Sequence, residues 1–149
     1  MIRRPAILTQ ADVASHWGTI LYVIGPKRGP VKIGISGSPE GRIAGLQTGH
    51  PYELSLLAQV AVRENGIESE NSIHQFLSPY RVRENGEWFH RSHEVGRLIE
   101  MVYCRLSPDV IMEKLREERK AALASNRDAW AANRAYRRRY VDGVVGDRE

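Results

Sequence analysis

Thr19-Ile20-Leu21-Tyr22-Val23-Ile24-Gly25 and Val31-Lys32-Ile33-Gly34-Ile35-Ser36 flank the linker Pro26-Lys27-Arg28-Gly29-Pro30. Both flanks are rich in β-branched residues, which suit a pleated, half-buried surface. The linker holds two prolines and a glycine, so it interrupts the extended run, and a β-hairpin is the economical reading. Tyr22 and Lys32 share parity. A register that pairs even positions with even therefore puts both side chains on one face of the hairpin. Gly34 falls on that face and contributes no side chain, which leaves room for a substrate backbone to approach.

Downstream, Ser38-Pro39-Glu40 supplies an N-cap, a proline at the first helical position and an acid in the first turn. This predicts a short helix through Gln47, ending near Gly49. Residues 53–62 (ELSLLAQVAV) read as a third strand and residues 64–77 as a second helix. Asn85-Gly86 is a turn dipeptide. Glu87-Trp88-Phe89 follows it, with aromatics to close the core and Glu87 placed to help line a pocket. Residues 92–105 predict another helix, and Ser107-Pro108-Asp109 a further cap-like start. Few breakers follow until Gly143, so residues 108–140 read as one long helix or two. Residues 1–18 read as an irregular or partly helical lead-in. The expected fold is α+β: a small three-stranded antiparallel sheet flanked by helices over residues 19–106, then a basic helical tail over 107–149.

Helical periodicity singles out one acid. At about 100° per residue, Ile67, Ile73, Phe76 and Leu77 occupy one half of the second helix, and Glu70 lies in the middle of that half. Glu68, Asn71, Ser72 and Gln75 fall on the other. Glu68 should therefore meet solvent while Glu70 faces the sheet. An inward carboxylate is costly unless something positive meets it. A divalent metal is one such partner and Arg42 is the other. His74, one turn on, shares the face of Glu70; it either orients the carboxylate or a bound water, or is a packed histidine with a single hydrogen bond. A zinc set drawn from His74, His90, His93 and Cys104 matches no familiar spacing.

At 149 residues the chain can hold one domain with a real core plus an appendage. No stretch approaches the roughly 20 apolar residues of a membrane span, and the N-terminus has no secretory pattern. With a single cysteine, Cys104, no intrachain disulfide framework exists, which suits a reducing, cytoplasmic setting. The net charge is +4. Residues 119–140 alone hold seven arginines and lysines against one acid, Asp128, so the basic excess lives in the tail. There Trp130, Tyr136 and Tyr140 are interleaved with arginines, a composition that suits phosphates and exposed bases.

Tyr22-Val23-Ile24 and Lys32-Ile33-Gly34, then Arg42, then Glu70 to His74, then Gly86-Glu87-Trp88-Phe89, form an ordered set over about residues 19–100. In order and spacing this set resembles the GIY-YIG endonucleases, in particular a phage-type branch whose second signature reads KIG. Two positions depart from the family. The first signature reads Leu-Tyr-Val, keeping the tyrosine, and Lys32 stands where much of the family has a second tyrosine, so a role specific to that phenol does not carry over. The resemblance implies a metal-dependent endonuclease that hydrolyses phosphodiester bonds of nucleic acid, double-stranded DNA being the expected substrate. It implies Glu70 as the ligand of one Mg²⁺ or Mn²⁺, and Tyr22 as the group that activates the attacking water. Asn85 lies where some relatives carry a pocket asparagine, but the Asn-Gly turn is the better explanation of it.

Chemistry adds conditions to these roles. A phenol titrates near 10 and works as a base at neutral pH only if a cation lowers it. Lys32 has the right charge for that task, or for direct contact with phosphate. Arg42, in the first turn of its helix, is placed to hold the scissile phosphate bidentately and offset developing charge. The expected catalytic set is Tyr22, Lys32, Arg42, Glu70 and His74. The expected nucleic-acid contacts are Lys27, Arg28, Arg127, Trp130, Arg134, Arg137 and Arg138. Two rival readings stand beside this one: a catalytically inactive DNA-binding module of the same fold, and a protein-interaction role for the basic helix. The oligomeric state, monomer or dimer, is open, because one active site cuts two strands only as a dimer or by acting twice.

Overall fold

The computed structural model describes residues 19–62 and 66–138. The lead-in over 1–18, the first residues of the expected second helix, and Arg139 and Tyr140 of the tail lie outside the described residues. The chain divides into two compact units, Met1–Glu113 and Lys114–Glu149.

In the first unit, β1 (Ile20–Gly25) and β2 (Val31–Ser36) form the antiparallel hairpin. Its register pairs Tyr22 with Gly34 and Ile24 with Lys32, even with even. Helix α1 (Pro39–Gln47) follows, with the Ser38 hydroxyl accepting from the Gly41 N–H at 3.3 Å and proline in the first turn. Strand β3 (Ser55–Ala61) pairs antiparallel with β1, with a register shift between Val23 and Ile24. The Gln47 amide ties the end of α1 to the approach of β3. Its oxygen accepts from the Leu54 N–H at 2.7 Å, and its nitrogen donates to the Tyr52 carbonyl at 2.9 Å. Helix α2 (Gly66–Phe76) comes next, and then a single 3₁₀ turn at Ser78–Tyr80.

The sheet has four strands, not the expected three. Trp88–Phe89 forms a short β4 on the outer side of β2, giving the order β3-β1-β2-β4. Two residues are too few to show alternation, and the aromatics that were expected to fill the core also carry the ladder. Phe89 is fully buried. Asn85 adopts a left-handed φ of 60° and the Gly86 N–H donates to the Arg83 carbonyl, so the turn reading accounts for it. Helix α3 (His93–Tyr103) is capped by the Ser92 hydroxyl and buries Val95, Leu98, Met101 and Val102, one apolar stripe at helical spacing.

Every position of β1 is buried, as expected of a central strand covered on both sides. On the even-numbered face, Tyr22, Ile24 and Leu54 form a small core, with Ile43 and Leu46 of α1, Leu56 and Trp88 packed against it. Helix α2 departs from its expected wheel at one position: Ile67 is 69% exposed. The helix meets the sheet through Gly66, where an added Cβ would stand 2.9 Å from Thr19 Cγ2, and this contact turns Ile67 outward. Ile73, His74 and Leu77 are buried and Glu68 is exposed, as the periodicity required. Helix α4 (Pro108–Arg137) is one continuous helix. Among the described residues no helix is long and apolar enough to cross a membrane.

Candidate active site

The hairpin register places Tyr22 beside Gly34, and the tyrosine fills the space the glycine leaves. A Cβ built on Gly34 would stand 2.6 Å from the Tyr22 hydroxyl oxygen and 3.4 Å from Glu70 Oε1. Gly34 was expected to admit a substrate backbone; the Tyr22 hydroxyl occupies that place instead. The phenol and the carboxylate thus converge over one glycine, from a strand and a helix 48 positions apart in sequence.

Glu70 faces the sheet, as its helical position required. Its Oε1 accepts the Ile35 N–H at 3.2 Å. That amide lies beyond the short β4, whose pairing with β2 covers only Val31 and Lys32. The brevity of β4 therefore leaves the β2 edge open for an acid. Among the described residues Glu70 forms no ion pair with Arg42, so the structural alternative for meeting its charge is not realised. One oxygen is anchored by a backbone amide, and the other makes no hydrogen bond among the described residues.

Lys32 is engaged elsewhere. Its ammonium pairs with the Glu87 carboxylate, the lysine side chain being 12% exposed and the glutamate 47%. The hydrogen bond from Lys32 holds the Glu87 carboxyl below its ordinary range; burial opposes this, while the charges of Lys32, His74 and Arg42 reinforce it. Burial pushes the Tyr22 phenol up to about 12; Arg42 pulls against this, and Glu87 and Glu70 push with it. The cation that acts on the phenol is therefore Arg42 from α1, not Lys32. The expected lowering of the tyrosine is reversed, because Tyr22 is 2% exposed and two carboxylates stand near it.

His74 is 7% exposed. Its Nε2 lies 2.7 Å from the Ile33 carbonyl, which can only accept, so this nitrogen carries the proton. Its ring packs tilted on Phe89 at 5.3 Å. Of the two readings open for His74, the geometry is that of a packed histidine. No three His, Cys, Asp or Glu residues converge on a common point among the described residues, so the conceivable zinc set is not assembled. A hard cation held by one carboxylate, with water and phosphate oxygens completing its shell, fits the donor set better; Glu70, with its second oxygen available, is the residue suited to hold it.

Lys27 and Arg28 are exposed in the hairpin turn. Two features here escaped the sequence. Arg91 braces that turn, donating from Nε to the Gly29 carbonyl and from Nη2 to the Pro26 carbonyl. The His50 ring stacks on Trp88 at 5.5 Å, beside Lys32 on the even face. Neither carries a local signal, since both depend on β4 lying next to the hairpin. In the second unit, Arg127, Asp128, Trp130, Ala131 and Arg134 line a shallow groove on α4, with Trp130 68% exposed. Arg137 and Arg138 are also exposed.

No curated protein and no solved structure matches the chain. Residues 19–104, more than half of the chain and the whole span from β1 to the end of α3, match the T5orf172 domain, which is related to GIY-YIG/HNH-like phage endonuclease domains, and the chain belongs to the T5orf172 domain family.

Proposed function

We propose that the module is a metal-dependent endonuclease that hydrolyses phosphodiester bonds of nucleic acid, with double-stranded DNA as substrate. The observation that carries this reading is the convergence of the Tyr22 hydroxyl and the Glu70 carboxylate over Gly34, within reach of the Arg42 charge. A purely structural acid would be expected to form the ion pair that Glu70 does not make.

Glu70 would hold Mg²⁺ or Mn²⁺, and the bound ion would supply Lewis-acid polarisation of the phosphate and leaving oxygen. Arg42 is exposed on α1, where its planar fork would meet an incoming phosphate and offset charge building on the oxygens. Tyr22 keeps its proton at neutral pH, so its hydroxyl first serves to position a water by hydrogen bonding. Whatever neutralises Glu70 removes one of the charges that push the phenol up, which brings Tyr22 closer to losing its own proton and so to the phenolate that could take one from water. Lys32 holds Glu87 at the edge of the face, and this pair sets the local charge near the phenol. His74 fixes α2 to β2 through the Ile33 carbonyl and so keeps Glu70 in register.

The binding-only reading of the same fold is favoured by the burial of Tyr22, 2% exposed, which pushes its phenol up, away from the range of a base at neutral pH. One experiment separates the two. Wild type and Glu70→Ala are incubated with supercoiled plasmid and Mg²⁺. Cutting by wild type alone supports catalysis; equal cutting by both proteins, or by neither, rejects it.

A further inference from the structure

Over Lys114–Arg137, helix α4 gathers most of its cations on one side. Among Lys114–Arg137 there are seven arginines and lysines and three acids. At about 100° per residue, and measured from Leu123, six of the seven cations fall within about 60° of the same line. They are Arg116, Arg119, Lys120, Arg127, Arg134 and Arg137. Lys114 lies on the opposite side. All three acids, Glu117, Glu118 and Asp128, lie more than about 100° away from that line. Leu123 and Trp130 run down the middle of the basic stripe, 58% and 68% exposed. Cations three and four apart on a helix repel one another weakly, and an anion lying along the stripe would relieve that repulsion.

We infer that this stripe is a docking face for duplex DNA, with α4 lying along the major groove and its arginines following the phosphates of one strand. The inference rests on the nucleic-acid reading of the module but not on cleavage. Twenty-one steps from Arg116 to Arg137 at about 1.5 Å each span roughly 32 Å, many times the ~3.4 Å axial spacing of phosphates along one strand, so the stripe is long enough to meet several of them. An α-helix fits the major groove. A flexible single strand is the poorer occupant, because sequence-tolerant single-strand binding uses successive aromatic platforms and the stripe offers one ring, Trp130. That ring is placed at the centre, where apolar contact with base edges or sugars falls.

The test is the salt dependence of binding to a 25-base-pair duplex, read by fluorescence anisotropy in EDTA so that no cleavage intervenes. Each phosphate contact contributes about 0.9 to the slope of log K against log salt. Arg127→Gln/Arg134→Gln/Arg137→Gln should therefore flatten the slope by close to three, with helicity by circular dichroism unchanged. Lys114→Gln, on the opposite side, should leave it as it is. A triple variant with the wild-type slope overturns the inference, as does a Lys114→Gln effect equal to that of a single stripe substitution. Tighter binding to a single strand of the same length, lost on Trp130→Ala, also overturns it. Steep duplex binding without cutting would sink the nuclease reading and leave this one standing; cutting with an unaltered slope in the triple variant would do the reverse.

Discussion

Gly34→Ala adds one methyl group to the most crowded point of the site. Its Cβ would stand 2.6 Å from the Tyr22 hydroxyl oxygen and 2.9 Å from Cζ, closer than real Cβ atoms come, whereas Glu70 Oε1 at 3.4 Å is an ordinary contact. Among the described glycines only Gly29 has a positive φ, so alanine meets no backbone strain at position 34 and the cost is steric. Tyr22 cannot swing clear, since Ile24, Leu54 and Trp88 enclose it. Overpacking of this kind costs about 1–3 kcal/mol, which for a module of this size lowers Tm by about 5–15 °C. Tyr22→Phe removes the nearest atom. In the Gly34→Ala background it should recover at least half of the loss, a coupling on the order of 1 kcal/mol between the two positions. Urea unfolding of the four proteins of this cycle measures it. Additive costs, or a Gly34→Ala protein as stable as wild type, would refute the placement of the hydroxyl over the glycine. A displacement of the hydroxyl by about 1 Å should also slow cleavage by about 100-fold.

Three further outcomes follow from the same geometry. Folding raises the Tyr22 phenol from 10.0 to about 12, so its contribution to stability is complete below pH 10 and is lost as pH climbs from there to about 12; Tyr22→Phe should flatten this alkaline limb, and an unaltered limb would refute the shift. Folding lowers the Glu87 carboxyl, so its contribution is present above the ordinary carboxylate range and is lost as pH falls through the lowered value. Lys32→Met should move the Glu87 carboxyl back up in an NMR titration, with a stability change below about 1 kcal/mol because the pair is partly exposed; an unmoved titration would show the pair is not formed in solution. His74→Ala leaves the Ile33 carbonyl unpaired and a gap beside Phe89, costing about 2–4 kcal/mol, while cleavage per folded molecule stays within a few-fold. Abolished cleavage in a protein as stable as wild type would instead make His74 a chemical participant.

What could be read from the chain alone follows the range of each interaction. The hairpin, the Ser38 cap, the even-to-even register and the inward turn of Glu70 are set by neighbours within a few residues, and periodicity exposes them. Strand β4 was not legible, because Trp88 and Phe89 pair with a hairpin more than fifty residues away. The consequences of β4 were hidden with it: Lys32 meets Glu87, Arg91 braces the hairpin turn, and His50 stacks on Trp88. Ile67 failed because a helical wheel knows the pattern of a face but not where a helix first touches its sheet. The sign of the Tyr22 shift depended on burial between α1 and β4. Parity alone put Lys32 near the phenol, and the fold put Arg42 there instead.

The central claim is that Glu70 and Tyr22 form a hydrolytic site around a divalent ion. Its most direct measurement is the single-turnover cleavage rate of an end-labelled duplex as Mg²⁺ is titrated, for wild type and Glu70→Gln side by side. With one protein carboxylate as ligand, the wild-type rate should rise and saturate only at high, weak-binding metal concentrations, and Glu70→Gln should bind the duplex as well as wild type while failing to cut it at any concentration. Cleavage by Glu70→Gln at the wild-type rate, or a wild-type rate indifferent to Mg²⁺, would contradict the claim.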